Sequence, residues 1–133
     1  MRVYSFEKLE VWKKAKDFVV FLYTLTSGFP RNERYGITAQ ILRAGASVPT
    51  NLSERSSRSS AKEQAYYCQI SYGSLMEVLN HLIIAYDLEY ITRGDLVECR
   101  KKIDEIAAML SALRKSCYPP IPLSPYPPNL LTS

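Results

Sequence analysis

Apolar residues recur along this chain in steps of three and four, the period of a helix with one face turned inward. Four such stretches follow one another. In the first, from about Phe6 to Thr26, Leu9, Trp12, Ala15, Val19 and Leu22 make one stripe, with Val11, Phe18 and Leu25 beside it. Ser5 is placed to cap its start, although Lys8 stands where a full capping box needs an acid or amide. Ser27-Gly28-Phe29-Pro30 ends it, with glycine as the cap and proline beyond. The second stretch runs from about Arg31 to Ser53. Tyr35, Ala39, Leu42 and Ala46 recur at helical spacing, flanked by Ile41 and Val48. Pro49 lies inside it. Proline has no N–H and its ring collides with the carbonyl four residues back, so a kink or break is predicted near Gly45 and Ala46. The polar run from Ser53 to Ser60 reads as a loop or a frayed helix end.

The third stretch, Ala61 to about Tyr90, is the most regular. Ala65, Cys68, Tyr72, Leu75, Leu79, Leu82 and Tyr86 alternate steps of three and four, as in a bundle seam. Tyr66, Ile70 and Ile84 lie roughly opposite. A helix that is apolar on two sides needs two coverings, and the second is expected to be another copy of the chain. Ile91 to Asp95 forms the next turn. The fourth stretch, Asp95 to about Cys117, carries Leu96, Cys99, Ile103, Ile106, Leu110, Leu113 and Cys117, with Asp95 and Glu98 at its start and Arg114 and Lys115 at its negative end. Short turns between four helices predict an all-α, antiparallel up-down-up-down bundle over residues 1–117. Residues 118–133 form a tail. Six of the eight prolines fall between Pro119 and Pro128, which predicts extended polyproline geometry. Composition favours an unstructured tail, while Tyr118, Ile121, Leu123 and Tyr126 would let it dock on its own subunit, a neighbour or another protein.

Length and composition fit this picture: 133 residues, 47% hydrophobic and 23% charged, make one ordinary globular domain. No apolar run approaches the roughly 18 residues of a membrane span, and no signal peptide opens the chain. Three cysteines with no short paired spacing predict reduced thiols and a cytoplasmic protein. The net charge of +4 is uneven: residues 31–62 hold six basic and two acidic groups, and residues 63–95 hold one basic and five acidic. The basic segment suggests a surface for nucleic acid or another acidic partner, or else complementary packing against the acidic one.

Catalytic patterns are missing. There is no glycine-rich phosphate loop, no metal-binding helix motif and a single histidine, His81, which flanks the core stripe. Ser74 after Gly73 has no strand-turn-helix elbow around it. Glu77 reads as a buried or interfacial polar contact. Neither catalytic residues, nor a metal site, nor a cofactor is expected.

Four segments together carry a resemblance. Phe6-Glu7-Lys8-Leu9-Glu10-Val11-Trp12-Lys13-Lys14-Ala15 resembles the opening signature of the bacterial four-helix bundle proteins found as reading frames within 23S ribosomal RNA intervening sequences. Phe29-Pro30, with Glu33 to Thr38, Gln40-Ile41 and Arg43-Ala44, is similar to their second signature. Ser47-Val48-Pro49-Thr50-Asn51-Leu52-Ser53-Glu54 and Tyr72-Gly73-Ser74-Leu75-Met76-Glu77 resemble two further ones. The likeness spans about residues 5–115. Arg55 departs from the family's usual glycine after the glutamate, and Leu88-Glu89-Tyr90 stands where leucine-glycine-tyrosine is common. The resemblance implies a ring-like homo-oligomer, typically a pentamer, with no known enzyme activity. It also implies kinship with the accessory variability determinant of diversity-generating retroelements, which binds nucleic acid and its reverse transcriptase.

The expected function is therefore a non-enzymatic accessory scaffold that binds nucleic acid, RNA foremost, and serves such a reverse transcriptase. The expected contacts are Arg31, Arg34, Arg43, Arg55, Arg58 and Lys62, extended by Lys13, Lys14, Lys16, Arg100, Lys101 and Lys102. A ring would repeat this set around one axis. Tyr66, Ile70 and Ile84 are the expected oligomer contacts. The alternative is a protein-protein adaptor that docks a partner through its proline-rich tail or ring face, without touching nucleic acid.

Overall fold

Four α-helices make up most of the computed structural model, which describes residues 1–118: α1 Glu10–Thr26, α2 Ile37–Ser56, α3 Ala61–Asp87 and α4 Arg93–Ser116. Short 3-10 turns at Ser5–Lys8 and Arg31–Glu33 precede α1 and α2, and no strand occurs among the described residues. Each helix packs on the next and α4 returns to α1, which gives the predicted antiparallel four-helix bundle. The proline-rich tail beyond Tyr118 lies outside the described residues.

The boundaries follow local chemistry that differs in places from the sequence reading. Helix α1 starts later than Phe6, because Ser5 falls in the 3-10 turn; there the Tyr4 N–H donates to the Glu7 carboxylate at 2.7 Å. At α3, the Ser60 hydroxyl accepts from the Glu63 N–H at 3.1 Å. For α4 the cap is Thr92 rather than Asp95. The Thr92 hydroxyl accepts from the Asp95 N–H at 3.0 Å and the Asp95 carboxylate accepts from the Thr92 N–H at 2.9 Å, a complete capping box one turn early. The polar run after Ser53 continues α2 to Ser56 before the chain turns.

Pro49 does not break α2, which runs unbroken through it. Side-chain donors brace the turn around the proline, at the carbonyls of Ser47 and Val48 rather than at that of Gly45, which loses the bond from residue 49. The Asn51 amide donates to the Ser47 carbonyl at 2.8 Å and the Ser47 hydroxyl at 2.9 Å. Ser71 on α3 donates to the Val48 carbonyl at 2.9 Å. Gly45, the residue whose carbonyl faces the proline ring, also lets α1 approach closely: a Cβ there would stand 2.8 Å from the Leu22 side chain. The buried line of α2 is consequently Ile41, Ala44, Gly45, Val48 and Leu52, while Tyr35 and Ala39 of the predicted stripe are exposed. On α3 the buried line is Ala65, Cys68, Ser71, Leu75, Val78, Leu82 and Ala85, so Tyr72, Leu79 and Tyr86 lie at its margin or outside. On α4 Cys99, Ile103, Ile106 and Leu110 are buried as predicted.

Helix α3 ends in a Schellman motif, with Tyr90 N–H donating to Ala85 and Glu89 N–H to Tyr86. Glu89 sits at the left-handed position, φ 64°, which favours glycine. Glu89→Gly is expected to raise stability by about 0.5–1 kcal/mol, because relief of left-handed strain exceeds glycine's added unfolded-state entropy. Denaturant unfolding reads this directly, and an unchanged or lower midpoint would contradict it. Tyr90 closes this end of the bundle, with its ring 5.4 Å from that of Phe29 and its hydroxyl donating to Glu33 at 2.8 Å.

Candidate nucleic-acid interface

The twelve cations expected to contact nucleic acid do not form one band. Arg31 and Arg34 stand at the Phe29–Tyr90 end, where they line a pocket with Thr26 and Phe29. Arg55, Arg58 and Lys62 lie at the opposite end, about 30 Å away along α2. Arg43 is exposed partway along α2, and Arg100 and Lys101 are exposed on α4. Lys13, Lys14 and Lys16 pair with Glu10, Glu105 and Asp17 at 3.4, 3.0 and 3.5 Å. Glu105 raises the pKa of Lys14 through the hydrogen bond and the charge it brings. Lys102 lies over the Phe21 ring, Lys16 over Trp12 and Arg34 over Tyr35. These contacts belong to the bundle's own surface, and each α1 lysine has a carboxylate beside it that lowers the local positive potential.

The end built by the last turn of α2, the first half of α3 and the last turns of α4 is different. Arg58 reaches Glu54 at 3.1 Å and Glu63 at 3.9 Å and lies over the Tyr67 ring, so it engages both of these carboxylates. Arg55, Lys62, Arg114 and Lys115 form no ion pair among the described residues. No acidic residue follows Glu105 in the sequence, so no acidic side chain in the last turns of α4 pairs with Arg114 or Lys115. Arg55 is half-buried. Its Nη2 lies 3.9 Å from the Cys117 sulfur, and its Nε is buried with no partner among the described residues. A half-buried guanidinium without a carboxylate beside it projects a positive potential to the nearby surface.

Between α3 and α4 this end opens into a cavity of about 310 Å³. The buried Cys68 and Leu110 form its apolar base, and the exposed Gln69, Tyr72, Ser111, Arg114 and Lys115 line the rest of it. Burial pushes the Cys68 thiol up to about 11, so this base is neutral at physiological pH. Sequence periodicity missed this constellation. Arg114 and Lys115 read as partners for the helix's negative end, and Tyr72 read as core.

The buried thiols also set a pH dependence. Burial raises Cys99 to about 12 and Cys68 to about 11, from an ordinary 9.0. The folded protein holds both protons after the unfolded chain has lost them, so this contribution is complete below pH 9 and is lost as pH rises through 11 to 12. The melting temperature is expected to fall steadily from pH 9 upward, and a flat profile to pH 11 would contradict the buried placement.

The expected oligomer contacts divide. Tyr66 is 60% and Ile84 41% exposed on the bundle, whereas Ile70 is already half-covered. Tyr72 and Ile83 extend the exposed apolar surface of α3. Glu77 is exposed rather than buried, and His81 is half-buried. Among the described residues no group of three His, Cys, Asp or Glu could hold a metal, and no helix is long and apolar enough to cross a membrane.

A solved structure of a protein of unknown function from the S23 ribosomal protein family of Bacteroides thetaiotaomicron matches the fold with a TM-score of 0.73. It is 24% identical, and the alignment covers 79% of this chain and 95% of that one. A comparison with curated proteins finds no match. The sequence model of the 23S rRNA-intervening sequence protein family matches residues 7–112, nearly the whole bundle. The chain therefore belongs to the 23S rRNA-intervening sequence protein family.

Proposed function

We propose that the chain is a non-enzymatic, homo-oligomeric scaffold that binds nucleic acid, RNA foremost, through the basic end of its bundle. The observation that carries this reading is the convergence of Arg55, Lys62, Arg114 and Lys115 from three helices on one end where, among the described residues, the carboxylates of Glu54 and Glu63 both pair with Arg58. Phosphate contacts of this type position a strand without reading its sequence. Tyr72, exposed along α3 beside these cations, supplies a surface on which unpaired bases stack. The reading therefore favours single-stranded RNA over a duplex. It keeps Arg55, Arg58 and Lys62 as the relevant part of the expected set and adds Arg114 and Lys115.

Assembly supports the same reading. Tyr66, Ile83 and Ile84 leave apolar surface on α3 that a second copy would cover, and each added copy brings another basic end to the same strand. In this reading the scaffold works in the cytoplasm. Its resemblance to the accessory variability determinant makes a reverse transcriptase the protein partner to test first.

The test is purification of the full chain from its native cells in low salt, followed by sequencing of any bound nucleic acid. Enrichment of RNA that is released between about 50 and 200 mM salt is expected, the range in which a multi-phosphate contact loses most of its affinity. Absence of nucleic acid at low salt, with a protein partner retained, would contradict the reading and favour the adaptor.

A further inference from the structure

The cavity between α3 and α4 at the basic end has a composition that a purely electrostatic surface does not require. Its volume, about 310 Å³, is at the lower end of small-molecule sites, which run to roughly 1,000 Å³. Its base is apolar and neutral, formed by Leu110 and the fully buried Cys68. Tyr72 also lines it and is 40% exposed, so an aromatic side chain is within reach of an incoming group. Gln69 carries both donors and an acceptor, and Ser111 carries a hydroxyl. Arg114 and Lys115 line it as well, exposed and with no ion pair among the described residues. No acidic residue lies between Gln64 and Met76 on α3 or beyond Glu105 on α4.

We propose that this cavity is a binding site for one nucleotide unit: the base enters against Tyr72 over the Leu110–Cys68 floor, Gln69 and Ser111 meet its polar edge, and the 5′-phosphate lies between Arg114 and Lys115. An aromatic side chain, an apolar floor and two cations in one lining match a flat heterocycle that carries a phosphate. A bare phosphate would have no use for the apolar floor, and an apolar ligand would leave the cations without a role. The unit could come from a free nucleotide or from a strand of RNA with one base turned out, and the second source rests on the function proposed above.

The experiment uses the full chain and two probes: nucleoside monophosphates (AMP and UMP) by calorimetry, and a short labelled single-stranded RNA by fluorescence anisotropy. Each probe is titrated against the wild type, Tyr72→Ala, Tyr72→Phe and Arg114→Ala, with circular dichroism confirming that each variant folds. Loss of one base stack is expected to weaken binding about five- to a hundredfold in Tyr72→Ala, while Tyr72→Phe keeps the ring and stays near wild type. Arg114→Ala should weaken both probes and lessen their salt dependence. RNA binding that is equal in the wild type and Tyr72→Ala, with no monophosphate binding, would overturn the nucleotide site and leave the proposed function standing. Monophosphate binding lost in Tyr72→Ala, with no RNA binding, would support the site and overturn the RNA function. Failure of both probes to bind the wild type would overturn both.

Discussion

Removing Lys62, Arg114 and Lys115 together, as the triple alanine variant, is expected to weaken single-stranded RNA binding about 100-fold near 0.1 M salt. The magnitude comes from counterion release. Each phosphate neutralised on a single strand adds about 0.7 to the slope of log affinity against log salt, so three lost contacts flatten that slope by about 2. These residues belong to α3 and α4 at the end where Arg55 and Cys117 meet, and none of them is buried. The bundle should therefore tolerate the change within about 0.5 kcal/mol. Arg31→Ala with Arg34→Ala is the matched comparison, because that pair stands at the other end of α2. If the two variants weaken binding equally, the basic end is not the binding surface. An anisotropy titration across several salt concentrations gives both the affinity and the slope.

Leu75→Ala is expected to destabilise the fold by about 3–5 kcal/mol, a large share of the roughly 5–15 kcal/mol that holds a domain together. Leu75 is fully buried at the middle of α3, the longest helix, which packs on both α2 and α4. The loss combines the transfer energy of the missing carbons with the cavity they leave between three close-packed helices. The neighbours cannot close that cavity easily, because Ser71 is tied to the Val48 carbonyl and Ser74 to Ser47. Chemical denaturation monitored by circular dichroism measures the change. A loss below about 1 kcal/mol would mean that α3 is not the central helix of the core.

How far such features were legible in the sequence depended on whether burial and hydrophobicity coincide. They coincide on α4, where Cys99, Ile103, Ile106 and Leu110 are both apolar and buried, and there the predicted stripe is the observed one. They part on α2. Gly45 and Ala44 are buried because helices approach closely there, yet they add little apolar signal, while Tyr35 adds much and is exposed. On α3 the buried positions include Ser71 and Ala85, and the larger Tyr72 and Tyr86 stand at the margin. A tyrosine hydroxyl buried without a partner is costly, so such rings settle where the hydroxyl can reach water. Pro49 shows the same limit for backbone rules. The break it predicts does not occur: α2 runs through Pro49 with Val48 and Leu52 buried on either side of it.

The candidate interface was legible as charge but not as place. Arg55, Arg58 and Lys62 are neighbours in sequence and were found together. Arg114 and Lys115 join them only because the bundle folds α4 back beside α3, and no local pattern records that juxtaposition. Ion pairing was equally hidden. Lys14 meets Glu105 from a helix about ninety positions later, which sets a carboxylate beside it that no local pattern records. Glu89, by contrast, was visible at once as a residue standing where glycine is common, and its positive φ gives the physical reason.

The central claim is that copies of this bundle assemble and hold single-stranded RNA at their basic ends. Sedimentation velocity of a labelled RNA mixed with the full chain at micromolar concentration tests it most directly. The RNA signal should move with a complex containing several 15.2 kDa subunits and return to the rate of free RNA as salt is raised. RNA that sediments freely at low salt, beside protein that behaves as a single subunit, would contradict it.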